Sequence, residues 1–421
     1  MSKSPMNNGG GKQVYVARQP IFKRNERVFG YELLFRNSMD NFFDVSVDAD
    51  AATSQVLLNS FSIIGIQKLT LGKKAFINFN DAMLVREIPS LFPKEITVVE
   101  VLEDTKVTPD VVEACQRLRK KGYVIALDDF IYKDEYIPLL EIAHIVKFDI
   151  RAMTKAQLRR DVLRVKPYEV KLLAEKVETA LEFKETLSMG FELFQGYFFC
   201  KPTIIEGQDI PVSKIQYIQI LQSLQREDYD FAEISTLLSQ DVALTYKLLK
   251  YINSAAMATR VKIETLQGAV ALMGETNLRK WLNLTMLSYL AADKPPELLR
   301  LSIQRAAFCE EVGRRVQGRA DFSHKCFMVG LLSLLDVLLN KPMADLVPEL
   351  GLSDQLQHCL LEKPDEALGY ILLLAKAYER GAWHYSKRAA KLLHISHGDL
   401  PACYEVALET VNSFHAMQSS A

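Results

Sequence analysis

The feature that most constrains this chain is a series of short apolar runs that each end on a polar residue. Asn78 follows Ala75-Phe76-Ile77, and Glu100 follows Thr97-Val98-Val99. Asp128 and Asp129 follow Val124-Ile125-Ala126-Leu127. Lys147 follows Ala143-His144-Ile145-Val146, and Glu175 follows Val170-Lys171-Leu172-Leu173-Ala174. Such runs read as buried strands, and most are separated by segments of helical period, among them 48–64 and Pro109 to Lys121. Alternating strands and helices predict parallel strands closed into an α/β TIM-like (β/α) barrel. The runs at Tyr15 and Val28 are joined by the polar turn Lys23-Arg24-Asn25-Glu26, so one strand is expected to be antiparallel. In a barrel the strand ends share a rim, and these polar residues converge there.

The pattern changes after Pro202. Residues 203–213 hold Gly207 and Pro211 and read as a linker. Beyond it helical periodicity dominates to Phe414, beginning with a capping box at Asp230 and Glu233. The expected organisation is a disordered lead-in at 1–12, a barrel over 13–202, the linker, and an all-α domain over 214–416. A composition of 49% hydrophobic and 24% charged residues is that of an ordinary globular protein. The net charge of -1 gives no bulk field to draw duplex nucleic acid or an anionic membrane. The six cysteines are scattered without a CxxC pair, which fits a reducing cytoplasm better than a disulfide framework. The greasiest stretches, 328–339 and 367–377, are too short to span a bilayer.

Glu32 belongs with the strand-end set, beside apolar neighbours in Gly30-Tyr31-Glu32-Leu33-Leu34-Phe35-Arg36. Crowded carboxylates repel one another unless cations sit among them. Mg²⁺ and Mn²⁺ take oxygen ligands, and Glu32, Asn78, Glu100, Asp128 and Asp129 supply them. Arg36 and Lys147 suit an anionic substrate. Two oxygen-held ions and a lysine form a recurrent arrangement for phosphodiester hydrolysis.

At these residues the chain resembles the EAL family of cyclic-di-GMP phosphodiesterases. Gln19-Pro20-Ile21 is similar to the entry motif, and Glu32-Leu33-Leu34 stands where the family has Glu-Ala-Leu. Asn78, Glu100-Val101-Leu102-Glu103, Asp128-Asp129-Phe130 and Lys147-Phe148-Asp149 follow in the family's order. Ala174-Glu175-Lys176-Val177-Glu178 resembles its A-E-G-V-E, and Gln195-Gly196-Tyr197 with Lys201-Pro202 its closing signature. The resemblance implies two Mg²⁺ or Mn²⁺ ions on Glu32, Asn78, Glu100 and Asp128, with Asp129 bridging. It implies Glu175 and Lys147 at the attacking water, Gln19, Arg36 and Gln195 on cyclic-di-GMP, and Glu103 and Glu178 in support. The product is expected to be linear pGpG, in a bacterial protein whose family controls motility and biofilm, with a homodimer as one assembly. Taken singly, a polar strand end is explained by a strand reaching water; eight fragments in order are not.

Two departures stand out. Ile131-Tyr132-Lys133-Asp134-Glu135-Tyr136 replaces the family's Gly-rich loop after the aspartate pair, and Lys176 replaces a glycine. A loop so altered leaves open a catalytically degenerate cyclic-di-GMP sensor, or a scaffold. The helical half resembles an HDOD domain through Asp241-Val242-Ala243-Leu244, Leu248-Leu249, Asn253-Ser254 and Ala269 to Gly274. Ser333-Leu334 stands where HD enzymes carry His-Asp, so the resemblance implies a regulatory or partner-binding domain rather than a second metal centre. His394-x-x-His397 with Asp399 has helical metal spacing, but a surface role is the simpler reading.

Overall fold

The structure is a computed structural model, and it describes residues 15–36, 65–197, 212–225, 242–253, 263, 265–318, 320–361 and 367–419. The expected lead-in, the helix expected over 48–64, the capping box at Asp230 and most of the expected linker lie outside these residues. So do Lys201-Pro202, Asp241, Ser254 and the side chain of Arg36. Val212 and Ser213, assigned to the linker from sequence, open the helix Val212–Gln225. The chain forms two compact units: 1–199 with 373–405, and 200–372 with 406–421.

The first unit is built on eight strands. They are β1 Tyr15–Lys23, β2 Val28–Arg36, β3 Lys74–Phe79, β4 Thr97–Val101, β5 Val124–Leu127, β6 Ile145–Asp149, β7 Lys171–Glu175 and β8 Leu193–Gln195. They close in sequence order into a barrel. β1 runs antiparallel to β2 and β8, and the remaining pairs are parallel. The antiparallel strand is the one whose short polar turn allows no crossover helix.

Period-two alternation sorts the barrel interior into layers. Ile21, Phe76, Val98, Ala126, Ile145, Leu173 and Leu193 form one buried apolar cluster, a side chain from each strand but β2. Two residues further along the parallel strands stand Asn78, Glu100, Asp128, Lys147, Glu175 and Gln195. On β1, which runs the other way, Gln19 lies two residues before Ile21, and its register partner on β2 is Glu32. A polar layer therefore sits directly on an apolar one, toward the C-terminal ends of the parallel strands.

The helices outside close the barrel. Pro109–Lys120 has Thr108 Oγ1 accepting from the Val111 N–H as its N-cap, and buries Val111, Ala114, Cys115 and Leu118. Ala180–Ser188 begins with a full capping box, Thr179 with Glu182.

The second unit is helical among its described residues. Its helices Pro296–Gln317 and Ala320–Leu332 approach closely: a Cβ on Gly330 would lie 2.6 Å from Ala306 Cα. Asn253 holds Ile263, its Nδ2 donating to the Ile263 carbonyl at 2.7 Å and its Oδ1 accepting from the Ile263 N–H at 2.8 Å. Ser333 accepts a hydrogen bond from the buried Arg305 guanidinium at 2.8 Å and donates to the Gly330 carbonyl at 2.7 Å. No described helix is long and apolar enough to cross a membrane.

Candidate active site

The polar layer is organised around Lys147, which β6 delivers fully buried into the barrel. Its Nζ lies 2.6 Å from Glu100 Oε1, 2.6 Å from Asp128 Oδ1, 3.0 Å from Glu175 Oε1 and 3.5 Å from Glu32 Oε2. Burial disfavours the ammonium, but Glu100, Glu175, Glu32 and Asp128 outweigh it and hold the Lys147 pKa well above its ordinary value. Burial pushes Glu100 well up, Lys147 opposes this, and Glu32 and Asp128 add to it. Glu175 is likewise held well up by burial, against Lys147 and with Asp128, Glu32 and Asp129. One ammonium thus falls short of neutralising the carboxylates packed around it, and two of them favour keeping a proton.

The neighbours of Glu32 fix its direction. Asn78 Nδ2 donates to Glu32 Oε1 at 3.4 Å, which aims Asn78 Oδ1 away from it. Gln195 Nε2 donates to Glu32 Oε2 at 2.6 Å and to Gln19 Oε1 at 3.0 Å. Gln19 Nε2 in turn donates to the Arg380 carbonyl at 3.0 Å, a contact across 361 residues of chain that no local signal announces. The structure brings Gln19, Glu32, Asn78, Glu100, Asp128, Lys147, Glu175 and Gln195 together; Arg36 is described only in its backbone, as the end of β2.

Adjacent residues of a strand point to opposite faces, yet Asp128 and Asp129 line the same cavity, of about 150 Å³. The backbone explains how. The Asp128 N–H bonds to Val101 on β4, and the Phe130 N–H bonds to Lys147 on β6. Between them Asp129 takes φ 38, in the left-handed region that non-glycine residues rarely adopt. Glu103, Phe130, Lys133 and Tyr136 also line this cavity. Glu103 meets the altered loop through its carbonyl, which accepts from Tyr136 Oη at 2.9 Å. Burial raises the pKa of its carboxyl, and the Asp128 and Asp129 charges add to this. The loop itself is braced by aromatic packing: Phe130 meets both Tyr132 and Tyr136 edge-on.

Lys176 takes φ 57, the conformation for which a glycine would be at ease. Its ammonium pairs with Asp149, one layer above Lys147 on β6. Burial pushes Asp149 up, but Lys176 and the N–H groups of Arg151 and Ala152 bring it below its ordinary value. Glu178 lies 3.1 Å from Arg151, whose Nε donates to the Lys176 carbonyl. Sequence reading flagged Lys176 only as a departure; its pairing with Asp149 follows from the two lying on neighbouring strand ends.

Among the described residues no three His, Cys, Asp or Glu side chains are arranged to hold a metal ion as they stand. The donor set nevertheless fits a hard cation. Asn78 Oδ1, Glu100 Oε2, Asp129 Oδ1 and Glu175 Oε2 are buried oxygens without a hydrogen-bond partner, an arrangement that costs stability unless something else satisfies it. His397 is engaged otherwise, its Nε2 lying 3.0 Å from the Lys387 carbonyl.

The EAL domain family matches residues 64–202 and the HDOD domain family residues 210–369. Cyclic di-GMP phosphodiesterase CdgJ of Vibrio cholerae serotype O1 is 36% identical over 377 residues, 88% of this chain and 85% of that one. YuxH of Bacillus subtilis, described as uncharacterized, is 34% identical over 97% of this chain and 100% of its own length. A standalone EAL protein from Vibrio cholerae O395, solved with c-di-GMP bound, is 24% identical, covers 46% of this chain and 93% of its own, and has a TM-score of 0.36. With an EAL match, then an HDOD match, and a relative of this identity along nearly its whole length, the chain belongs to the family of EAL–HDOD proteins.

Proposed function

We propose that the barrel hydrolyses cyclic di-GMP to linear pGpG, and that the helical unit regulates it or recruits a protein partner. The observation that carries this reading is the polar layer: carboxylates and an amide from five strands, gathered around one buried lysine from a sixth at the C-terminal mouth of a barrel. CdgJ, which bears this activity in its name, supports the choice of substrate.

In this reading Glu32, Asn78, Glu100, Asp128 and Asp129 would hold two Mg²⁺ or Mn²⁺ ions, which would supply Lewis acidity toward the phosphate. Gln19, Arg36 and Gln195 hold the dinucleotide. Glu175 takes the proton of the attacking water at Oε2, which has no partner of its own, while Lys147 fixes Oε1 at 3.0 Å. The water oxygen joins phosphorus as one P–O ester bond breaks, the released ribose oxygen takes a proton from solvent water to become a hydroxyl, and the ring opens to a linear dinucleotide. Glu103 and Glu178 support the loops that follow β4 and β7. The aromatic bracing around Tyr132 and Tyr136 stands in for the family's Gly-rich loop.

The test is chromatographic. Purified protein with cyclic di-GMP should yield pGpG in Mn²⁺ or Mg²⁺ and none in EDTA. Saturable nucleotide binding without product in either metal would make the barrel a sensor instead.

A further inference from the structure

Residues 373–405 belong to the compact unit that holds the barrel, although they lie outside both family matches. Between the helices Ala367–Glu379 and Trp383–Leu392, the turn at Arg380 and Gly381 rests on the barrel mouth. Three contacts place it there. Gln19 Nε2 donates to the Arg380 carbonyl at 3.0 Å. Gly381 lies so close to Leu34 that a Cβ would be 2.5 Å from its Cδ1. The Arg380 guanidinium lies 4.8 Å from the centroid of the Tyr197 ring. Each barrel residue adjoins the polar layer: Gln19 faces Glu32 in register, Leu34 lies two residues past Glu32, and Tyr197 two past Gln195.

Arg380 is exposed and has no carboxylate partner among the described residues. Its backbone is anchored through Gln19 and its head group through the ring, so little freedom remains to be lost when an anion binds it. The polar layer beneath is acidic. A cyclic dinucleotide carries two phosphodiesters, and only one can be at the reacting centre. The other stays charged, and the carboxylates below repel it. We propose that Arg380 is a substrate-binding residue, which holds the spare phosphate of the cyclic dinucleotide at the barrel mouth. This rests on the phosphodiesterase reading above.

The experiment compares wild type, Arg380→Ala and Arg380→Lys on two substrates, cyclic di-GMP and bis(p-nitrophenyl) phosphate, which has a single phosphodiester and no spare anion. For Arg380→Ala the expected result on cyclic di-GMP is a KM raised about ten-fold, the worth of one partly exposed charge-assisted contact, with kcat within about two-fold. Arg380→Lys should recover part of the loss, and both variants should match wild type on the small diester. An unchanged KM for Arg380→Ala, equal losses on both substrates, or a rise in kcat would each overturn the assignment while leaving the phosphodiesterase reading in place; the last would mark the turn as an inhibitory cover. A wild type that turns over neither substrate and does not bind cyclic di-GMP would overturn both.

Discussion

At the scale of the residue, the site is a problem in charge balance. Lys147 is buried among Glu32, Glu100, Asp128 and Glu175 and touches all four. Removing one partner of a buried ionic cluster is far worse than never having built it. Lys147→Met should destabilise the metal-free protein by about 3–5 kcal/mol, and Mn²⁺ should restore part of that; urea unfolding with and without the ion checks it. Protonation belongs to the same scale. Burial holds Glu100 and Glu175 above the usual 4.5, so in the metal-free protein they favour the protonated form. Their raised pKa contributes stability that is complete at low pH and fades as pH climbs through the raised values. A divalent ion must displace those protons, so Mn²⁺ affinity should rise with pH above 4.5, with proton release visible by calorimetry in buffers of different ionisation enthalpy. An affinity that is flat in pH would mean the ion does not displace these protons. The residue types at this site were legible in the sequence because each strand end interrupts an apolar run. The left-handed turns at Asp129 and Lys176 were not, since nothing in Asp-Asp or Glu-Lys records a backbone angle.

At the scale of the element, period-two alternation does the positioning. Phe76 and Asn78, Val98 and Glu100, Ala126 and Asp128, Ile145 and Lys147, Leu173 and Glu175 are the same step repeated on five neighbouring strands. That is why a barrel could be read from sequence, and why one antiparallel strand could be read from a four-residue polar turn, although not which strand of the pair it is. The closure at Gly196 could not. Gly196 has φ 143, and a Cβ there would overlap the Val177 backbone, whose N–H bonds to the Gln195 carbonyl. Gly196→Ala should therefore cost about 3 kcal/mol or more, read as a lowered urea midpoint at unchanged slope. A loss below about 1 kcal/mol would show that the Val177 loop moves aside easily. In the helical unit, Gly330 sets the approach of two helices, and Ser333 spends its hydroxyl on Gly330 and Arg305. The sequence showed that His-Asp was missing there. It did not show that a guanidinium had taken up the position.

At the scale of the whole molecule, the chain forms two compact units, and the sequence separates a barrel from a helical region by the change from strand–helix alternation to helical periodicity after Pro202. The helical unit offers no ligand pair at Ser333-Leu334, so all tightly held metal should belong to the barrel. Elemental analysis should find about two Mn²⁺ per chain in the wild type and almost none in Asp128→Asn; metal retained by that variant would locate a second centre elsewhere. The membership of residues 373–405 in the barrel unit was invisible from sequence, because helical periodicity, broken only near Gly398-Asp399, carries no record of what a helix packs against. The central claim is that the polar layer hydrolyses a cyclic dinucleotide. It is tested most directly by cyclic di-GMP turnover in Mn²⁺, wild type beside Glu32→Gln, which keeps the side chain's shape and removes its charge. The account predicts pGpG from the wild type and a rate at least about a thousand-fold lower from the variant. Equal rates from the two proteins would contradict it.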